Sequence, residues 1–122
     1  MNVSFEFSTI SPEAMEHLRR LAFSKTGTRR LCLHQSAESK LHMMLIEIMP
    51  HTRFPEHEHP LSDELVFLLE GQLDYCFKDG SANRLSATSS RSIILPMGVA
   101  HSVVSGPGGA LYLEVICGPF RA

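Results

Sequence analysis

The chain opens with a helical pattern and then changes period. In "SPEAMEHLRRLAFSKTG", Met15, Leu18, Leu21 and Ala22 recur at the three- and four-residue spacing that places them on one helix face. Ser11 stands at the N-cap position, Pro12 at the first helical position and Glu13 in the first turn, with Gly27 beyond the end. The pattern predicts a short amphipathic helix of about three turns within residues 11–26, packed on the main body.

From Leu41 onward the apolar positions come in short runs: "LHMMLIEIM", "ELVFLLE", "QLDYCFK", "SIILP", "HSVV" and "ALYLEVIC". Between them lie Glu70-Gly71, Lys78-Asp79-Gly80, Pro96-Met97-Gly98 and the stretch from Gly106 to Gly109, which supply the fixed or positive φ of tight connections. This punctuation predicts an all-β sandwich or barrel. In "ELVFLLE" both parities are apolar: Val66 and Leu68 share a face with Glu64, while Leu65, Phe67 and Leu69 point the other way. Both faces of that strand therefore need cover, one from a second sheet and the other from the N-terminal helix or a second subunit, so a homodimer is expected.

Composition narrows the setting. A chain of 122 residues suits one domain spanning 1–122, with the helical segment at about 11–26 and the β body at about 30–120. With 43% hydrophobic and 20% charged residues and no low-complexity tract, it reads as globular. The net charge of -2, with basic residues scattered apart from Arg19-Arg20 and Arg29-Arg30, offers no stripe for a phosphate backbone, so no nucleic-acid partner is expected. The apolar run Leu65 to Leu69 is far shorter than the roughly 20 residues of a membrane span, and "MNVSFEFSTI" lacks the basic and apolar regions of a leader. No membrane partner is expected, and the expected location is cytoplasmic. Cys32, Cys76 and Cys117 are odd in number and set among apolar neighbours, as suits reduced, buried thiols.

Candidate chemistry gathers at "FPEHEHPLSDELVFLLEG". Side chains at i and i+2 of a strand project from one face, so His57 and His59 can present two imidazoles to one point. A short turn at Pro60 to Asp63 would let Glu64, opening an antiparallel partner strand, return a carboxylate beside them. A fourth ligand must come from elsewhere, and "PMGVAHSVV" offers His101 after a Pro-x-Gly turn. Imidazoles with a carboxylate suit Mn, Fe, Co, Ni, Cu or Zn and fit the oxygen-loving Ca and Mg poorly. One divalent transition metal is therefore the expected cofactor.

These residues resemble a known family. His57-x-His59-x4-Glu64-x6-Gly71 is similar to the first cupin motif, and Pro96-x-Gly98-xx-His101 to the second. The resemblance implies a double-stranded β-helix, the cupin jelly roll, with His57, His59, Glu64 and His101 as metal ligands. His51 stands where the first motif begins with Gly, and Ser90 and Ser105 where the second has Gly and Asn; these positions shape turns. The leading helix, "CLHQSAESKLHMML", "LEGQLDYCF" and "YLEVICGPF" extend the resemblance to the small WbuC-type cupins. That implies a metalloprotein associated with surface-polysaccharide (O-antigen) gene contexts.

A metal on the inner wall of a jelly roll keeps an open side for a small-molecule substrate. In "ALYLEVIC" the alternation sets Tyr112 and Glu114 on one face and Leu111, Leu113 and Val115 on the other. If the polar face lines the cavity, Glu114 is a candidate general acid or base, with Tyr112 beside it. Tyr75 reads as core, Arg53 as a solvated loop residue, and His34, His42 and His51 as structural or exposed. The expectation is a metal-dependent enzyme, of isomerase, epimerase or dioxygenase type, acting on a carbohydrate or similar polar metabolite. Its rival is a non-catalytic module that binds or senses a metal and a small molecule.

Overall fold

The computed structural model describes residues 9–58 and 62–117. Along the chain run α1 (Pro12–Arg20), β1 (Thr28–Cys32), β2 (Leu41–Ile48), β3 (Arg53–His57), β4 (Glu64–Phe77), β5 (Ala82–Leu85), β6 (Ser92–Leu95) and β7 (His101–Cys117). Every ladder between these strands is antiparallel.

The long strands β4 and β7 form the spine. Glu64 to Leu68 pairs with Tyr112 to Ile116, and Leu73 to Phe77 pairs with His101 to Ser105. Between these halves the register slips twice, around Glu70 and Gly71. Gly71 has φ 86, and a Cβ there would collide with the Gly109 carbonyl oxygen and stand 2.8 Å from the Ala110 Cα. Backbone thus crosses backbone where only glycine fits. The hydrogen-bonded order β1-β2-β7-β4-β5, with β3 on β7 and β6 on β4, splits across this bend. One layer holds β1, β2, β6 and the outer halves of the spine; the other holds β3, β5 and the remaining halves. The result is a jelly roll.

Period two within each strand sorts the core. Ile46 and Ile48 of β2, Val66 and Leu68 of β4, and Leu73 further along β4 are buried between the layers. The opposite parity of β1, β2 and β7 sends Leu31, Leu45 and Leu111 outward, where α1 covers them with Ala14 and Leu18. Ser11 caps α1 as its position predicts, its Oγ accepting the Ala14 N–H at 3.1 Å. The helix stops at Arg20, short of the expected end near residue 26. Leu21 turns extended, and the Arg29 guanidinium from β1 donates to the carbonyls of Arg19 and Leu21 at 3.0 and 3.2 Å. Those bonds satisfy last-turn carbonyls that a longer helix would have used itself. Gly27, with φ 84, serves the turn into β1 instead.

Three strands escape the periodicity reading, and two expected turns do not occur. β1, β3 and β5 are short and largely polar or exposed, so little apolar alternation marks them. Glu70-Gly71 and Gly106 to Gly109 lie inside β4 and β7, where the glycines permit bending and crossing without ending the strand. The thiols are free, but Cys32 and Cys76 are half-buried and Cys117 is exposed, contrary to the expectation of burial. Cys117 takes the outward parity of β7 at its last described residue, beyond the cover of α1.

Candidate metal centre

β3 brings His57 to the mouth of a cavity as the direct cross-strand partner of His101 on β7. An irregular register between Phe54 and His57 lets both side chains line the same cavity despite their odd spacing. The two imidazole centroids stand 4.4 Å apart, edge to face. His57 Nδ1 lies 3.0 Å from the Pro55 carbonyl and His101 Nδ1 lies 3.0 Å from the Val99 carbonyl. A carbonyl only accepts, so each Nδ1 carries a proton, which leaves Nε2 as the ring nitrogen available to ligate.

Glu64 meets them from the other layer. β4 is not the ladder partner of β3; both pair with β7, so the carboxylate arrives across the sandwich instead of from the adjacent antiparallel strand that the spacing suggested. Its Oε2 stands 3.8 Å from His101 Nε2, with both side chains buried. Burial foremost, then the hydrogen bond and charge of Glu114, push the Glu64 carboxyl well above the usual carboxylate range, with Arg30 partly opposing. Burial likewise raises Tyr75 and Tyr112, with nearby carboxylates adding to it, so both phenols stay protonated donors near neutral pH.

These groups line a cavity of about 450 Å³. Glu64, Glu114, Tyr112 and His101 are all less than a tenth exposed, which makes them its floor. Arg30 and His57 are exposed and stand at its rim, on the edge strands β1 and β3. Met44, Phe54, Val103 and Ile116 supply an apolar wall.

Residues 10–89, well over half of the chain, match the family described as "Domain of unknown function (DUF6016)". The chain belongs to the DUF6016 family. No curated protein matches the sequence. Among solved structures, KdgF from Halomonas sp. is similar at 18% identity and a TM-score of 0.65, covering 80% of this chain and 84% of its own. An RmlC-like cupin from Shewanella frigidimarina is similar at 23% identity and a TM-score of 0.63, covering 79% of each chain. The polyketide cyclase RemF from Streptomyces resistomycificus is similar at 23% identity and a TM-score of 0.65, covering 84% of this chain and 71% of its own. At such identities the likeness establishes the cupin fold for this DUF6016 chain.

Of the four residues expected to ligate, His57, Glu64 and His101 are gathered at one cavity, and His59 lies outside the described residues. Among the described residues no group of three or more His, Cys, Asp or Glu closes on one point tightly enough to hold an ion. Tyr112 and Glu114 line the cavity, as does Tyr75, which also belongs to the core where the alternation placed it. Arg53 is exposed on β3 and absent from the lining. His34 and His42 stack on each other at 4.0 Å, away from the cavity lining, and His51 occupies a tight turn with φ 51. Sequence reasoning missed Arg30, Met44 and Phe54. For Arg30 the signal was the "TRRLC" alternation, which is legible only once those residues are known to form a strand.

Proposed function

We propose that this chain is a metal-dependent cupin protein acting on a small polar metabolite, with His57, His59, Glu64 and His101 holding one divalent transition metal. One observation carries the reading: backbone carbonyls accept from Nδ1 of both His57 and His101, leaving Nε2 of each as the donor atom, and the His101 Nε2 stands beside the Glu64 carboxylate in the same cavity. Second-layer carbonyl bonds of this kind set the tautomer of ligating histidines. Imidazole and carboxylate donors fit Mn, Fe, Co, Ni, Cu or Zn, and when bound such an ion supplies Lewis acidity or, for Fe and Mn, redox chemistry.

The chain's own residues would do the rest. Glu114, beside Glu64 on the floor, is placed to pass a proton to or from a substrate held above it. The phenols of Tyr112 and Tyr75 donate hydrogen bonds to substrate oxygens, and Met44, Phe54, Val103 and Ile116 keep water from one wall. A carbohydrate or similar polar metabolite, the WbuC-type subgroup with its surface-polysaccharide setting, and a cytoplasmic location belong to this same proposal. So does a homodimer, supported by Leu65, Phe67 and Ile94, which remain 39%, 42% and 66% exposed on the outer face that α1 leaves uncovered. The apolar wall of Met44, Phe54, Val103 and Ile116, which can hold a ligand without reacting with it, favours a second reading, a non-catalytic binding or sensing module.

Elemental analysis of protein purified without a histidine tag tests the reading. Wild type should carry about one transition metal per chain, and the His57→Ala/His101→Ala variant only a small fraction of that, with its β-sheet circular dichroism unchanged. Equal metal content in the two proteins sinks the metal centre. Metal-dependent turnover, lost in the double variant, would then separate the enzyme from the module.

A further inference from the structure

Two arginines adjacent in sequence face opposite ways. Arg29 takes the outward parity of β1, where Glu47 accepts its Nε–H at 2.6 Å, the carbonyls of Arg19 and Leu21 accept from its Nη1, and the Phe23 ring lies 4.3 Å beneath its guanidinium carbon. Arg30 takes the inward parity and lines the cavity, exposed to solvent at its rim. Among the described residues no hydrogen bond or ion pair holds it, although its charge acts on Glu64 and Tyr112. A guanidinium carries five donors in a planar fork that matches a carboxylate and keeps its charge at every physiological pH.

Register places a second donor in line with it. Arg30 pairs with Ile46 and Ile46 pairs with Tyr112, so the guanidinium and the phenol belong to one row of the inner face. Among the residues that line the cavity Arg30 is the one fixed cation, so it matches a ligand with a single negative charge better than a dianion such as a phosphate monoester. The wall of Met44, Phe54, Val103 and Ile116 is more apolar than a fully hydroxylated neutral ligand requires. One fixed positive charge, a nearby hydroxyl donor and an apolar wall together match a monoanion with a less polar body.

We infer that the cavity takes a small organic acid, its carboxylate held by the Arg30 guanidinium beside the Tyr112 phenol and its body lying along Met44, Phe54, Val103 and Ile116. This narrows the ligand class of the function proposed above and rests on that reading of the cavity as a ligand site, though not on the metal.

Calorimetric titration of the full chain with three probes, benzoate, its neutral counterpart benzamide, and phenyl phosphate, tests the inference. Wild type should bind benzoate at least about tenfold more tightly than either of the others, in keeping with a charge-assisted bidentate contact. Arg30→Gln should erase the preference while leaving benzamide unchanged, and Arg30→Lys should restore part of it, as a point charge without the fork. Arg30 is exposed, so both variants should melt like wild type. Equal binding of benzoate and benzamide, a preference for phenyl phosphate, benzoate binding unaltered in Arg30→Gln, or no benzoate binding would each overturn it. Metal content measured on the same samples keeps the two readings apart. Loss of acid selectivity with metal intact removes this inference alone. Selectivity that persists in a wild type carrying no metal removes the metal centre and leaves Arg30 standing.

Discussion

At the scale of single residues, environment outweighs residue type. Ser105 stands where the resembled motif carries Asn, and its hydroxyl donates to the Met49 carbonyl at 2.6 Å and accepts the Thr52 N–H at 2.9 Å. It therefore ties the 49–52 turn to β7, as a turn-shaping position should. His51, where the motif has Gly, takes the positive φ of 51 that glycine adopts more easily. His34 shows how burial sets acid sensitivity. Its Nδ1 accepts the Met43 N–H at 3.2 Å, and burial foremost, with the charge of His42 adding, lowers its pKa below the ordinary 6.5 despite the opposing pull of the Met43 carbonyl. Below that value the unfolded chain binds more protons than the folded one, so the stability His34 contributes is present above it and is lost as the pH falls. In metal-free protein, thermal melts taken from about pH 7.5 down to about pH 5 should show a steeper loss for wild type than for His34→Gln. Parallel curves would exclude His34 as a source of acid sensitivity.

At the scale of elements, the crossing of β4 and β7 decides the architecture, because it lets two long strands serve both layers. Gly71 and Gly80 have the same φ of 86, but a Cβ at Gly71 would enter the backbone of Gly109 and Ala110, whereas at Gly80 it meets open space. Both substitutions incur left-handed strain; only one also forces two strands apart. Gly80→Ala should therefore cost about 1 kcal/mol and Gly71→Ala more than about 3 kcal/mol, or prevent folding. Urea denaturation of the two variants checks this, and comparable losses would mean that the crossing tolerates separation. The same crossing carries the candidate site. Glu64 sits at one end of β4 and His101 at one end of β7, and folding the spine over brings one layer's carboxylate to the other layer's imidazoles.

At the scale of the whole molecule, α1 covers the outer leucines of β1, β2 and β7 and stops there. The exposed trio on β4 and β6 remains, Ile94 being the direct cross-strand partner of Leu65. If a second copy covers this face, Phe67→Arg should convert a dimer to a monomer in sedimentation analysis while leaving the melting temperature of the monomeric fold within a few degrees, since its side chain lies outside the core. A wild type that sediments as a monomer at micromolar concentration would reject the homodimer. Among the described residues no helix is long and apolar enough to cross a membrane.

The local signals were readable without coordinates because they depend on neighbours in the chain. Ser11 before Pro12 starts a helix, alternation in "ELVFLLE" and "ALYLEVIC" marks strands, and the spacing of His57, Glu64 and His101 drew attention to the residues that the fold gathers. Parity sorts a strand's side chains into two sets, but which set faces inward depends on what the partner strands and α1 cover. Tyr112 and Glu114 could therefore be paired from sequence but not turned toward the cavity. Arg30 could not be told from Arg29 while β1 went unrecognised. Whether a glycine ends a strand or lets it cross another is likewise decided by the chain that passes over it, and at Gly71 that chain lies far along the sequence, at Gly109 and Ala110.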